Sequence, residues 1–189
     1  MDLTELRQDL ALRNKNGLPF LLSAMIVWVL ITGLFTLPLE LRFQNIGMLM
    51  LTGIMFPLAI GLSSLLKTDW KSEGNPLAGL GLILNVAQFM YFPLVFWAFG
   101  VHPEAMLLVF AVITGAHLFP YGWLYMTKAY YILAPVMAVA ATAIGLGIGS
   151  SEQWPIPLAM VLLLAVLNLL LFLNYKAKTG VSLTQNRPA

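Results

Sequence analysis

The sequence predicts an all-α membrane protein, a bundle of six transmembrane helices with both termini cytoplasmic and a short amphipathic helix in front. Three observations lead there. Of the 189 residues, 60% are hydrophobic and 10% charged, where soluble domains carry about 25% charged residues. Six apolar stretches, at about 19–37, 45–66, 76–101, 103–126, 129–148 and 154–175, each reach the roughly 20 residues that a spanning helix needs. All 10 basic and 8 acidic residues fall outside their apolar cores. Barrel-type alternation is absent, so the spans are helices. A soluble globular protein and a disordered chain are both excluded.

Each element has its own justification. Within residues 1–16, Leu3, Leu6 and Leu10 recur at helical spacing between Asp2, Glu5, Arg7, Asp9 and Arg13. This predicts an amphipathic helix on the cytoplasmic face, serving as a topology anchor or as a docking or gating element. The first span is too long, and lacks the small-residue site, for a cleaved signal peptide. Asn75-Pro76 and His102-Pro103-Glu104 open two spans with a proline, whose missing N–H is harmless in a first turn. Trp97 and Trp154 suit an outer aromatic belt, and Trp70, Trp123, Tyr125, Tyr130, Tyr131 and Tyr175 an inner one. The transmembrane domain covers 17–176. Residues 177–189 form a cytoplasmic tail, without periodicity from 180 onward.

Orientation follows from the cations. Arg7, Arg13, Lys15, Lys67, Lys71, Lys128, Lys176, Lys178 and Arg187 share one side, and only Arg42 lies on the other. Positive charge marks the cytoplasmic face. Six helices allow two three-helix halves of opposite topology, as in many transporters. The likeness between the halves is confined to Asn85 and Asn168. Small residues every fourth position, Ala141, Gly145 and Gly149, with Ala134, Ala138 and Thr142 beside them, give helix five a close-packing face. That face would serve packing within the chain or a homo-oligomer. Gly53, Pro57 and Gly61 make a similar stripe in helix two.

No carboxylate lies deep within a span, which argues against the usual proton- or sodium-coupled transport site. With no cysteine, thiolate metal sites, iron–sulfur clusters and cysteine nucleophiles are excluded. The ten methionines are scattered and read as core filling rather than as copper ligands. No cofactor motif, metal cluster or nucleic-acid-binding patch is present. The intramembrane polar groups are neutral. Asn85 and Gln88 share one face of helix three, with Tyr91 nearby, Phe92 extending the face and Pro93 loosening the backbone beyond it. In helix four, His117, Tyr121 and Tyr125 follow at one-turn intervals, and Lys128 continues toward the same side. Pro120 and Gly122 predict a kink there. His117 can bind a substrate or relay a proton, or it can simply bond Tyr121 or a facing amide. With no nucleophile beside the histidine, no catalytic residue is assigned.

The run Asn85-Val-Ala-Gln88-Phe-Met-Tyr91, the run Gly115-Ala-His117-Leu-Phe-Pro120-Tyr121-Gly-Trp123-Leu-Tyr125 and the segment Arg13-Asn-Lys15-Asn-Gly17 together resemble a family of small six-helix bacterial membrane proteins of unknown function. The resemblance implies a bacterial inner, or plasma, membrane and transfers no activity. The residues themselves favour a small transporter or binding protein embedded in the lipid bilayer. Its substrate would be a small neutral or amphipathic molecule, held in a polar cavity between helices three and four by Asn85, Gln88, Tyr91, His117, Tyr121 and Tyr125. The hinges would be Pro93, Pro120 and Gly122. The alternatives are a non-transporting scaffold or subunit that associates through helix five, and a membrane-embedded enzyme that modifies lipids.

Overall fold

A computed structural model describes residues 1–148 and 152–185. Their regular structure is all helical, and six segments are long and apolar enough to cross a membrane: Lys15–Thr36, Leu41–Leu65, Ala78–Val101, Pro103–Leu124, Lys128–Gly147 and Pro155–Gly180. Ahead of them lies α1 (Leu3–Arg13). Span one holds α2 (Leu18–Thr36). Span two is divided into α3 (Leu41–Gly53) and α4 (Met55–Leu65). Span three consists of α5 (Ala78–Ala87), a 3-10 turn over Gln88–Tyr91, and α6 (Phe92–Val101). Span four contains α7 (Met106–His117) and the short α8 (Tyr121–Leu124). Spans five and six are α9 (Lys128–Gly147) and α10 (Pro155–Gln185).

Three spans are interrupted, each beside a proline, for one reason. Proline cannot donate to the carbonyl four residues back. Pro57 leaves the carbonyl of Gly53 without that bond, and span two breaks at Ile54. Pro93 does the same to Phe89, inside the 3-10 turn. Pro120 does so to Ala116, whose carbonyl instead accepts the N–H of Phe119 at 3.2 Å in a tightened turn.

The packed centre consists of spans one, four, five and six. α2 lies on α10, α7 on α9, and α9 on α10. Ile31, Leu107, Met137, Leu164, Leu167 and Leu171 are fully enclosed there. Spans two and three sit at the edge, α4 against α2 and α6 against α7. Among the described residues no extensive packing joins α3–α4 to α5–α6, whereas spans five and six pack closely. The two halves therefore differ at the pair that an inverted repeat would make equivalent.

Several sequence expectations change. Arg42 lies in the first turn of α3 rather than in a loop. The last helix continues to Gln185, so the cytoplasmic tail expected from 177, aperiodic from 180, is helical as far as 185 and carries Lys178; Arg187 lies outside the described residues. Tyr125 and Tyr130 are buried rather than belted at the surface. On helix five, Ala141 is buried, and a Cβ on Gly145 would meet Leu108 of α7 at 2.9 Å. That face is thus used within the chain; Gly149 lies outside the described residues. Gly53 and Gly61 face open space, and a Cβ at either would meet nothing within 4 Å, so the helix-two stripe makes no close contact.

The N-terminal helix is clasped to the bundle. It opens with a capping box, in which the Asp2 carboxylate accepts the Glu5 N–H at 2.8 Å and the Glu5 carboxylate accepts the Asp2 N–H at 2.9 Å. Arg7 donates to the carbonyl of Trp123 and lies over its ring at 4.4 Å. Asn75 donates to the Leu6 carbonyl and the Asp9 carboxylate. Arg13 donates to Asp69 at 3.0 Å and to the carbonyl of Glu73 at 3.2 Å. Burial opposes the Asp69 charge, but hydrogen bonds from Arg13 and Ser72, with the Arg13 charge, outweigh it and hold the carboxyl below its ordinary range. A group with a depressed folded pKa contributes its stability above the unfolded value and loses it as pH falls through the folded one. The clasp should therefore stay closed from about pH 8 to pH 5 and open only below about pH 4. Spin labels on Thr4→Cys and Lys67→Cys, read as a distance distribution in detergent, test this. Opening near neutral pH would show that another group controls the clasp, and Arg13→Met should widen the distance at every pH.

Candidate functional site

The breaks in spans two, three and four meet around one cavity. Its volume is about 680 Å³, and Thr52 and Gly53, Gln88 and Phe89, and His117 and Leu118 all line it. Span one contributes Phe20, Ala24 and Trp28, and the junction after α1 contributes Asn14 and Gly17. The space thus lies mainly among the first four spans, with Tyr130 of span five and Leu164 of span six completing its wall, and is wider than the expected cleft between helices three and four.

The polar wall divides into satisfied and unsatisfied groups. The Thr52 hydroxyl donates to the Leu49 carbonyl at 2.7 Å, and that of Thr114 to the Phe110 carbonyl at 2.9 Å. His117 Nδ1 lies 2.7 Å from the carbonyl of Thr114. A carbonyl only accepts, so Nδ1 carries a proton; when the ring is neutral, Nε2 is then its acceptor. Nε2 and the whole Gln88 amide have no hydrogen-bond partner among the described residues, and neither does Asn85 Oδ1. Buried polar groups are normally paired; these three stand on the cavity wall, while the fully buried unpaired atoms, Asn45 Oδ1, Ser63 Oγ, Gln153 Oε1 and Asn168 Oδ1, lie away from it.

One carbonyl ties spans three and four together. Gly81 O accepts Asn85 Nδ2 and the Tyr121 hydroxyl, each at 3.2 Å. Tyr121 in turn meets the His117 ring edge-on at 6.3 Å and stacks on Tyr125 at 6.0 Å. Tyr130 completes a cluster of three tyrosines, 5.8 Å from Tyr121 and 6.2 Å from Tyr125.

The structure brings Asn85, Gln88, His117, Tyr121 and Tyr125 onto this wall. Tyr91 does not join them and is half exposed. The cavity stripe of span three runs through Asn85, Gln88, Phe89, Phe92 and Phe96, and Tyr91, the last residue of the 3-10 turn, is not part of it. Lys128 is also absent, because the break after Tyr125 places it at the start of α9, exposed. Gly122 sits inside α8, where a Cβ would strike the Tyr131 ring at 2.9 Å; close approach accounts for this glycine. Sequence reasoning missed Asn14, Trp28, Trp70, Lys71 and Thr114, which also line the space. The sequence held no signal for Asn14, since an asparagine closing a helix is an ordinary cap.

A family profile matches residues 3–174 and is described as a family of unknown function, DUF7010. The chain belongs to the DUF7010 family. That match runs from α1 into the sixth span and takes in the whole cavity wall. No curated protein and no solved structure matches the chain. Membership of DUF7010 therefore brings no activity with it, and the function is argued from the cavity.

Proposed function

We propose that this protein binds, and carries across or within a bacterial inner membrane, a small amphipathic molecule held in the cavity among the first four spans. The observation that carries the reading is the convergence of three interrupted spans on one cavity. Non-helical backbone at membrane depth persists where it is buried in protein or lines a wet cavity. Transporters of several folds build their sites from such discontinuous helices. The free acceptor of His117 and the unpaired amide of Gln88 offer hydrogen bonds to a ligand. The volume lies inside the range of about 300–1,000 Å³ typical of small-molecule sites. In this reading both termini are cytoplasmic, which the nine cations on one side support, and α1 rests at that face as the floor of the cavity through Leu10 and Asn14.

The absence of native cysteine makes the test direct. His117→Cys and Gln88→Cys should each react with a small water-soluble methanethiosulfonate in the folded protein, and a bound ligand should slow the reaction. If neither position reacts before unfolding while both react after it in dodecyl sulfate, the cavity is closed and the reading fails.

A further inference from the structure

We propose that the occupant is an anionic amphiphile drawn from the bilayer, entering between spans two and three with its head group at Lys71 and Trp70 and its tail along the aromatic wall; this rests on the cavity reading above.

The route is written in which residues face both ways. Phe56 of α4 lines the cavity and is 44% exposed. Leu82, Phe89 and Phe96 of span three line it and are 52%, 58% and 55% exposed. The rim is therefore apolar on both sides, and α3–α4 and α5–α6 do not close over it by extensive packing. A water-soluble solute would gain nothing from such an edge. An acyl chain would pass it without desolvation, because the rim and the lipid are alike. Inside, rings continue the apolar path: Phe89 meets Phe92 at 5.1 Å and Phe92 meets Phe96 at 6.0 Å.

The head-group end is set by charge. Among the described residues Lys71 is the single charged one on the cavity wall, and no carboxylate lines it. Of the acids two residues to either side, Asp69 is engaged by Arg13 and Glu73 stands off the wall. The Lys71 ammonium forms no ion pair among the described residues and lies 5.9 Å from the Trp70 ring. The Trp70 indole N–H, a donor only, likewise has no acceptor among the described residues. An unpaired cation next to an unpaired donor suits a phosphate or other anionic head group. Trp28 marks the other end. It lines the cavity, is only 2% exposed, and packs on Phe110 at 5.6 Å, so lipid around the outside of the bundle does not reach it.

The test uses Trp28 as the reporter. The full chain is placed in vesicles of phosphatidylglycerol or of phosphatidylcholine, each with brominated acyl chains that quench tryptophan on contact. The difference between the native protein and Trp28→Phe isolates the share of Trp28. That share should be quenched, with roughly fivefold preference for phosphatidylglycerol, the factor one interfacial lysine contributes toward an anionic lipid. Lys71→Glu, a change on an exposed loop, should remove the preference and keep some quenching. No quenching of Trp28 by either lipid, with cysteines at 88 and 117 still reactive, overturns the amphiphile and leaves the cavity reading intact. Equal quenching by both lipids, unchanged in Lys71→Glu, overturns the anionic head group at Lys71.

Discussion

Gly115→Ala should destabilise the protein by about 3 kcal/mol, while Gly145→Ala should fall between a slight gain and a loss of about 1 kcal/mol. Both glycines lie where α7 crosses α9, and sequence spacing alone would rank Gly145 higher. The obstacle differs. A Cβ at 115 would stand 2.9 Å from the backbone nitrogen of Ala138 and from Met137 Cβ, and 3.2 Å from the Ala134 carbonyl oxygen. Backbone atoms inside a helix cannot step aside, so the two helices would have to separate and the enclosed side chains near them, Met137 and Leu107, would lose contact. At 145 the obstacle is the end of the Leu108 side chain, which can rotate. Alanine also favours a helix over glycine by about 0.5–1 kcal/mol, which offsets a mild clash and not a severe one. Unfolding in mixed dodecyl sulfate micelles, followed by tryptophan fluorescence, measures both. Equal losses would mean that the α7–α9 crossing is not centred on Gly115.

That contrast shows how far the sequence could be read. The six spans were legible because a hydrophobic stretch of the right length has one stable outcome in lipid. Prolines 93 and 120 also announced their breaks, since the missing N–H acts locally. The wall residues Asn85, Gln88 and His117 stood out because uncharged polar groups in an apolar run are scarce. What stayed hidden was which elements fail to touch. Nothing in the composition of spans two and three says that they flank an open edge; that follows from α4 packing on α2 and α6 on α7 without extensive packing between the two pairs. Burial of Tyr125 and Tyr130 was hidden for a similar reason. A tyrosine near a membrane interface can point either way, and here the docked α1 and α10 roof it over.

Asn16→Ala should cost about 2–4 kcal/mol, the largest effect expected of a single polar side chain in the molecule. Asn16 is fully buried at the junction of α1 and α2. Its amide nitrogen donates to the Leu171 carbonyl and to Asn174 Oδ1, each at 3.1 Å, and its Oδ1 accepts Lys178 Nζ at 3.0 Å. Its backbone carbonyl accepts the Tyr130 hydroxyl at 2.9 Å. One residue thereby fastens the start of span one to α9 and α10. Its φ is +56°, between Lys15 at +48° and Gly17 at +82°, a region asparagine tolerates and alanine does not. Two causes are combined in the loss, and two further variants separate them. Asn16→Gly adopts the backbone freely and removes only the side-chain bonds, so it should lose less than Asn16→Ala, by the roughly 1–2 kcal/mol of left-handed strain. Lys178→Met probes the other part. With Asn16 gone, the ammonium keeps only the Tyr125 carbonyl, 2.6 Å away, as a partner in a half-buried site. Removing the charge should then be less harmful in the Asn16→Ala background than in the native protein. A double-mutant cycle on thermal unfolding reads that coupling. Additive losses would show that Lys178 is held by Tyr125 alone, and that the asparagine acts through its backbone and α10.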